Sequence, residues 1–147
     1  MAKPEVVFFV YSEGAMGQTL PPPIEGYEPV PRLNLMGVLC MLRPYFVPGQ
    51  FSFAVSLGLR NVDFTQPHRV RFVFRHENKV IVDTDYQPVV IEHKQQTLPV
   101  EEAHIMTSIT FANVILETEG LYHTDVYFDG ELLGAFPIPV RKAAKSE

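Results

Sequence analysis

The sequence has no tryptophan and only one cysteine, Cys40, among its 147 residues. One thiol cannot form an intramolecular disulfide, so a disulfide-stapled scaffold is excluded, and a chain of this size can bury enough apolar surface without one. Cys40 lies in an apolar run, and free cysteine is among the most buried residue types, so we expect it to be buried and unreactive.

Long apolar runs are also missing. No stretch reaches the roughly 18 apolar residues that a membrane-spanning helix needs. The first eleven residues carry Glu5 within a short apolar stretch and have no cleavage-like segment after them, which does not fit a secretory signal. We therefore expect a soluble, cytoplasmic protein with no membrane partner.

Sequence motifs for common enzyme chemistries are absent as well. The chain has no Gly-x-Ser-x-Gly string for acyl transfer, no phosphate-binding Gly-x-x-x-x-Gly-Lys-[Ser/Thr] string and no dinucleotide fingerprint. The net charge of −5 argues against a broad nucleic-acid or anionic-lipid surface. We expect neither a catalytic residue, nor a cofactor, nor a nucleic-acid partner.

What the chain does contain is side-chain alternation with a period of two, which indicates β-strands. In residues 51–59 the odd positions are large and apolar, whereas the even positions are small: Ser52, Ala54, Ser56 and Gly58. The odd positions belong in a core, and the small face either lets something pack closely or is flat and exposed. Strand-like segments are predicted at residues 5–11, 33–43, 51–59, 69–75, 79–83, 86–91 and 104–112.

Two segments do not fit this pattern. Residues 12–33 hold five prolines and three glycines, so we predict a long proline-rich loop after the first strand. Ile24 and Tyr27 are expected to hold this loop against the body. Residues 141–147 read as a flexible polar tail. The remaining segments predict one domain over residues 1–147.

The C-terminal part supplies the strongest local signals. Asp129-Gly130 between two β-rich runs predicts a hairpin with a type I′ turn, whose central residues both need a positive φ. Gly120-Leu121-Tyr122 at the start of a late strand is typical of a tyrosine corner. Together with the short strands these features predict an all-β, immunoglobulin-like antiparallel sandwich of about 7–9 strands.

These strings also resemble an uncharacterised, domain-of-unknown-function family of small bacterial proteins. The resemblance rests on residues spread over most of the chain: Leu35-Met36-Gly37-Val38, Gly120-Leu121-Tyr122, Asp129-Gly130-Glu131-Leu132-Leu133-Gly134 and Pro137-Ile138-Pro139-Val140. It implies an immunoglobulin-like fold and brings no catalytic residues. The proline-rich segment is an elaboration on the family pattern.

One candidate binding site follows from placing two predicted strands side by side. In an immunoglobulin-like strand order, residues 69–75 lie beside residues 121–128. The outward residues would then be neighbours, and arginine with tyrosine is typical of binding hot spots. An ordinary charged sheet face held by cross-strand pairs is the alternative. The predicted site comprises Arg69, Arg71, Arg75, His123, Asp125 and Tyr127.

The function predicted from these observations is a non-catalytic binding or interaction module. Its partner is an unidentified protein or a second copy of the chain, in a homodimer formed through an edge strand or a sheet face. Two alternatives stay open. One is a metal-dependent enzyme or metal-binding protein that uses His and carboxylate groups near His104 or His123, such as the His123-x-Asp125 pair. The other is a phage-encoded or host-associated structural component.

Overall fold

The fold is all-β over residues 3–89 and 98–146, the part of the chain that the computed structural model describes. Alternating, β-branched and aromatic segments form strands because these side chains fit a pleated surface with one buried face. The strands are β1 Glu5–Thr19, β2 Pro31–Leu39, β3 Gly49–Arg60, β4 Arg69–His76, β5 Lys79–Asp83, β6 Gln87–Pro88, β7 His104–Leu116, β8 Gly120–Phe128 and β9 Glu131–Val140.

These strands form two sheets. Sheet I has the order β2-β1-β3-β7, and sheet II has the order β5-β4-β8-β9, with β6 paired to β4. Neighbouring strands in both sheets are antiparallel. The predicted all-β sandwich of antiparallel strands is therefore confirmed.

The core lies between the two sheets and is centred on Phe53 of β3. Its ring centroid lies 5.1 Å from that of Phe74 on sheet II, 5.3 Å from that of Phe111 and 6.0 Å from that of Tyr11. The odd residues of β3 continue this layer as predicted, since Val55, Leu57 and Leu59 are fully buried. Inward residues of β4 and β8 face them from sheet II.

Two buried tyrosines add directional bonds to this apolar layer. The Tyr122 hydroxyl donates to the Thr118 carbonyl oxygen at 2.7 Å, which is the contact of a tyrosine corner and confirms that prediction. The Tyr11 hydroxyl on sheet I donates to the Phe136 carbonyl oxygen on sheet II at 2.7 Å and lies 2.7 Å from Thr124 Oγ1. Tyr11 thus links the two sheets by hydrogen bonds.

The proline-rich loop is present but shorter than the predicted residues 12–33. Residues 12–19 continue β1 and pair with β2, so the loop spans residues 20–30. Gly14 and Gly17 do not stop a strand, and β2 lies at a sheet edge, where Pro31 can begin it. Beyond Ser12, β1 no longer pairs with β3. We call the two-stranded extension, residues 13–19 and 31–37, the arm.

Two further expectations are wrong, and the predicted tail is held in part. Cys40 is exposed, because it lies just past the end of the edge strand β2, where the chain leaves the sheet. Ile24 and Tyr27 are exposed and do not hold the loop against the body. The backbone N–H groups of Arg141 and Ala143 donate to the carbonyl oxygens of Leu42 and Pro44, so the tail is tied down at its start.

Candidate functional site

The outer face of sheet II brings five of the six predicted site residues into one patch, with the sixth at its end. In the register of β4 with β8, Arg71 is opposite Tyr127, and Arg75 is opposite His123. Asp125 is opposite Val73 and so lies diagonally between the two arginines. The predicted neighbourhood follows because residues of equal parity on paired strands share a face.

Arg71 is the centre of this patch. Its Nε donates to Asp83 Oδ1 at 2.8 Å, and a terminal nitrogen donates to Asp83 Oδ2. The guanidinium carbon lies 5.4 Å from the ring centroid of Tyr127 and 5.7 Å from that of Tyr86, within range of cation–π attraction. Hydrogen bonding by Arg71 lowers the pKa of Asp83, and the same pairing raises the pKa of Arg71. The cation is therefore fixed between two rings.

Arg75 makes a second bidentate pair on the same face. Its Nε donates to Asp125 Oδ2 at 2.7 Å, and a terminal nitrogen donates to Asp125 Oδ1 at 3.0 Å. The other terminal nitrogen donates to the Glu77 carbonyl oxygen at 2.9 Å. Asp125 is buried, so this ion pair is better shielded from water than a typical surface pair. The pairing raises the pKa of Arg75.

Arg69 differs from the other two arginines. Its backbone N–H donates to Asp129 Oδ1 at 2.9 Å, but among residues 3–89 and 98–146 its exposed guanidinium has no carboxylate partner. Asp129 Oδ2 lies 2.5 Å from His68 Nδ1. Arg69 therefore provides an available cation at the end of the patch, in a cleft that it lines together with Pro67, Tyr86, Asp129 and Gly130.

The metal hypothesis finds no ligand cluster in the part of the chain that is described. Within those ranges no group of three or more His, Cys, Asp or Glu side chains is placed to hold an ion. Both oxygens of Asp125 accept hydrogen bonds from Arg75, which would compete with a metal ion shared by Asp125 and His123. Nδ1 of His123 is buried and has no hydrogen-bond partner within the described ranges. Adjacent Glu92 and His93, a further His–carboxylate candidate in the sequence, lie outside these ranges.

The chemistry of the patch suits recognition. Three arginines face two aspartates, so the cluster is close to neutral, and both Arg71 and Arg75 already hold a carboxylate in bidentate fashion. Such a surface is rigid, amphipathic and weakly charged, which fits a protein surface better than a small multivalent anion.

Comparison with known protein families assigns the chain to a family. The model of the Family of unknown function (DUF6941) matches residues 28–141. The chain belongs to this family. The matched DUF6941 segment contains all strands from β2 to β9 and every residue of the patch, and it confirms the predicted membership of a domain-of-unknown-function family. No curated protein matches the chain. The described residues include no helix long and apolar enough to span a membrane.

Sequence reasoning missed two residues of this DUF6941 site, Asp83 and Tyr86. The Glu77-Asn78 turn was a usable signal, because a two-residue hairpin fixes which residues of β4 and β5 are opposite. Counting outward from that turn would place Val82 opposite Val73 and point Asp83 inward. A register shift at Phe74/Arg75 instead places Asp83 opposite Val73, on the same face as Arg71. No residue pattern around this position predicts the bulge.

Proposed function

We propose that this protein is a non-catalytic, immunoglobulin-like interaction module that binds a protein partner through the outer face of sheet II. The observation that carries the proposal is the clamp around Arg71, in which Asp83, Tyr86 and Tyr127 hold one guanidinium in place. Side chains held before binding lose little conformational entropy on association. Arginine and tyrosine at such sites are typical of interface hot spots.

Arg69 sets the expected partner chemistry. Arg71 and Arg75 are neutralised by Asp83 and Asp125, whereas no carboxylate in the described part of the chain pairs with the Arg69 guanidinium. A partner carboxylate beside Arg69, with apolar or planar groups over Tyr86 and Tyr127, would complete this surface. The immunoglobulin-like part of the proposal is supported by the order β4-β8-β9 in one sheet, β1-β3-β7 in the other, and the tyrosine corner at Tyr122.

The cellular setting is also part of the proposal. The resemblance to a family of small bacterial proteins suggests a bacterial protein, and a cytoplasmic location is part of the same proposal. A phage or host-associated structural component remains compatible with such a module.

Affinity capture from the native cell tests this function. Proteins enriched by the wild-type chain are identified by mass spectrometry and compared with those captured by an Arg69→Glu, Tyr127→Ala double variant. We expect the variant to lose at least one specifically enriched protein. Lys142→Glu, a charge change at the exposed C-terminal end, should retain it. Equal capture by the wild type and both variants would contradict a partner site on sheet II.

A further inference from the structure

The outer face of sheet I has the opposite character from that of sheet II. The register pairs Gly58, Ser56 and Ala54 of β3 with outward residues on both neighbouring strands. Phe8 lies across Gly58, where an added Cβ would come within 2.1 Å of the Phe8 ring. We call this surface the apolar face, and it comprises Phe8, Val10, Ser12, Met16, Met36, Val38, Ala54, Ser56, Gly58, Met106, Ser108 and Thr110.

The apolar face contains no charged side chain. The Glu5–Arg60 ion pair lies at one end of the sheet, and Arg32 lies near the end of the arm. Four large apolar side chains are exposed on it: Met16 at 59%, Met36 at 54%, Val38 at 61% and Met106 at 41%. An antiparallel sheet with one solvated face normally alternates apolar and polar residues. An uncharged sheet face that exposes several large apolar side chains is a candidate interaction site.

The arm extends the same surface beyond the sandwich. Residues 13–19 of β1 pair with β2 alone, and β2 has no other strand partner within the described ranges. Met36 lies beside Gly14, and Met16 is exposed one step further along. A two-stranded ribbon is only marginally stable in water by itself. Packing against another surface would stabilise the arm.

We propose that the apolar face is the interface of a homodimer, in which the face of one copy packs on that of a second copy across a two-fold axis. A two-fold axis places the same patch on itself, so a self-associating surface must not repel itself. The chain carries a net charge of −5, yet no charged side chain belongs to this face. A partner with a charged binding surface would need complementary charges on the apolar face, and this face has none.

The size of the surface fits this occupant. Three strands, β1, β3 and β7, spaced about 4.8 Å apart over about eight residues of about 3.3 Å cover roughly 380 Å², and the two-stranded arm of about seven residues adds roughly 220 Å². The sum of roughly 600 Å² per partner is at the lower end of the range for specific interfaces, which bury about 1,200–2,000 Å² in total. Ala54 and Ser56 at the centre are fully covered by their neighbours, so a second copy would contact the exposed side chains around them. The methionines among these side chains can adapt their shape.

Sedimentation velocity across a concentration series tests the proposal. We expect wild-type protein to sediment at twice the 16.7 kDa chain mass at tens of micromolar. Val38→Glu and Met106→Glu place a charge on each copy of the face and should shift the protein to the monomer mass. Both side chains are exposed, so the variants should fold, which their thermal unfolding curves will verify. Leu121→Glu, at a 52% exposed residue of sheet II, should remain dimeric.

Three results would overturn this interface. One is a wild-type protein that stays monomeric throughout the series. Another is a dimer that both face variants leave intact. The third is a dimer that survives Val38→Glu while the β2 amides gain protection from hydrogen exchange, since that pattern means edge-to-edge strand pairing. None of these results depends on partner capture at sheet II. The sedimentation experiment and the affinity-capture experiment can therefore fail independently of each other.

Discussion

Asp83 and Asp125 show how individual residues determine the chemistry of the sheet II face. Each carboxylate accepts two hydrogen bonds from one arginine, so each arginine is both neutralised and oriented. Asp83 accepts a further bond from the backbone N–H of Asp85 at 2.9 Å. These contacts favour the ionised carboxylate, which makes part of the stability of the face depend on pH.

Asp83→Asn should destabilise the protein near neutral pH by an amount that shrinks in acid. The pKa of Asp83 is lowered in the folded state, first by hydrogen bonding from Arg71 and also by the Asp85 N–H. A lowered folded-state pKa stabilises the protein fully above the unfolded pKa of about 3.9, and this contribution is lost as the pH falls through the folded value. Urea unfolding at several pH values between 7 and the acid range measures the difference between wild type and variant.

The matched control is the same substitution in an Arg71→Gln background. There the principal cause of the lowered pKa is gone, so Asp83→Asn should lose most of its pH-dependent effect. A difference that stays constant or grows towards acid would show that Asp83 does not stabilise the fold through its charge.

At the scale of single elements, turns and bulges decide which side chains meet. The β8–β9 hairpin closes through Asp129 and Gly130 with φ values of 51° and 84°, the positive pair that a type I′ turn needs. Asp129 also accepts a hydrogen bond from the backbone N–H of Arg69, so this turn is tied to the start of β4. One short loop therefore fixes both a hairpin and the end of the binding patch.

Gly130→Ala should lower the free energy of unfolding by about 1 kcal/mol, because a side chain at positive φ is strained. An added Cβ would meet no atom closer than the Tyr86 hydroxyl at 4.0 Å, so the cost lies in the backbone. Gly17→Ala is the control. It lies in the arm with no atom within 4 Å of an added Cβ and no positive φ, so it should be neutral or slightly stabilising. Urea unfolding compares the two, and equal effects would argue against a strained turn.

For the whole molecule, the closure of the sandwich at the β1–β9 side depends on Tyr11. The Phe9 ring stacks on Phe136 with centroids 4.3 Å apart, and the Tyr11 hydroxyl bonds to Phe136 and Thr124 beside it. A hydroxyl has one proton, so Tyr11 donates to the carbonyl oxygen and accepts from Thr124. Burial raises the pKa of Tyr11, which keeps this donor protonated.

Tyr11→Phe should lower the free energy of unfolding by about 1–3 kcal/mol, because it leaves the partly buried Phe136 carbonyl and the buried Thr124 hydroxyl without their Tyr11 partner. Adding Thr124→Val should cost less than the two single changes together, since both partners are then apolar and of similar shape. Tyr45→Phe, at a highly exposed position, should have no measurable effect. Chemical denaturation of the four variants measures this, and additive single effects would argue against an intersheet bond.

The sequence by itself determined the strands, their inward faces, the Asp129-Gly130 turn and the Tyr122 corner. These features depend on side-chain alternation and backbone preference within a few residues, so they can be read locally. It also determined that the arginines of β4 face His123, Asp125 and Tyr127, because parity alone assigns them to one face.

Only the tertiary structure decided the rest. The bulge at Phe74/Arg75 moved Asp83 onto the outer face, and pairing with β2 extended β1 through residues expected to form a loop. The exposure of Cys40 and the Tyr11 bond to Phe136 likewise depend on which strands become neighbours. Such features arise from contacts between residues that are far apart in the chain. The energies of these contacts cannot be inferred from a pattern of neighbouring residues.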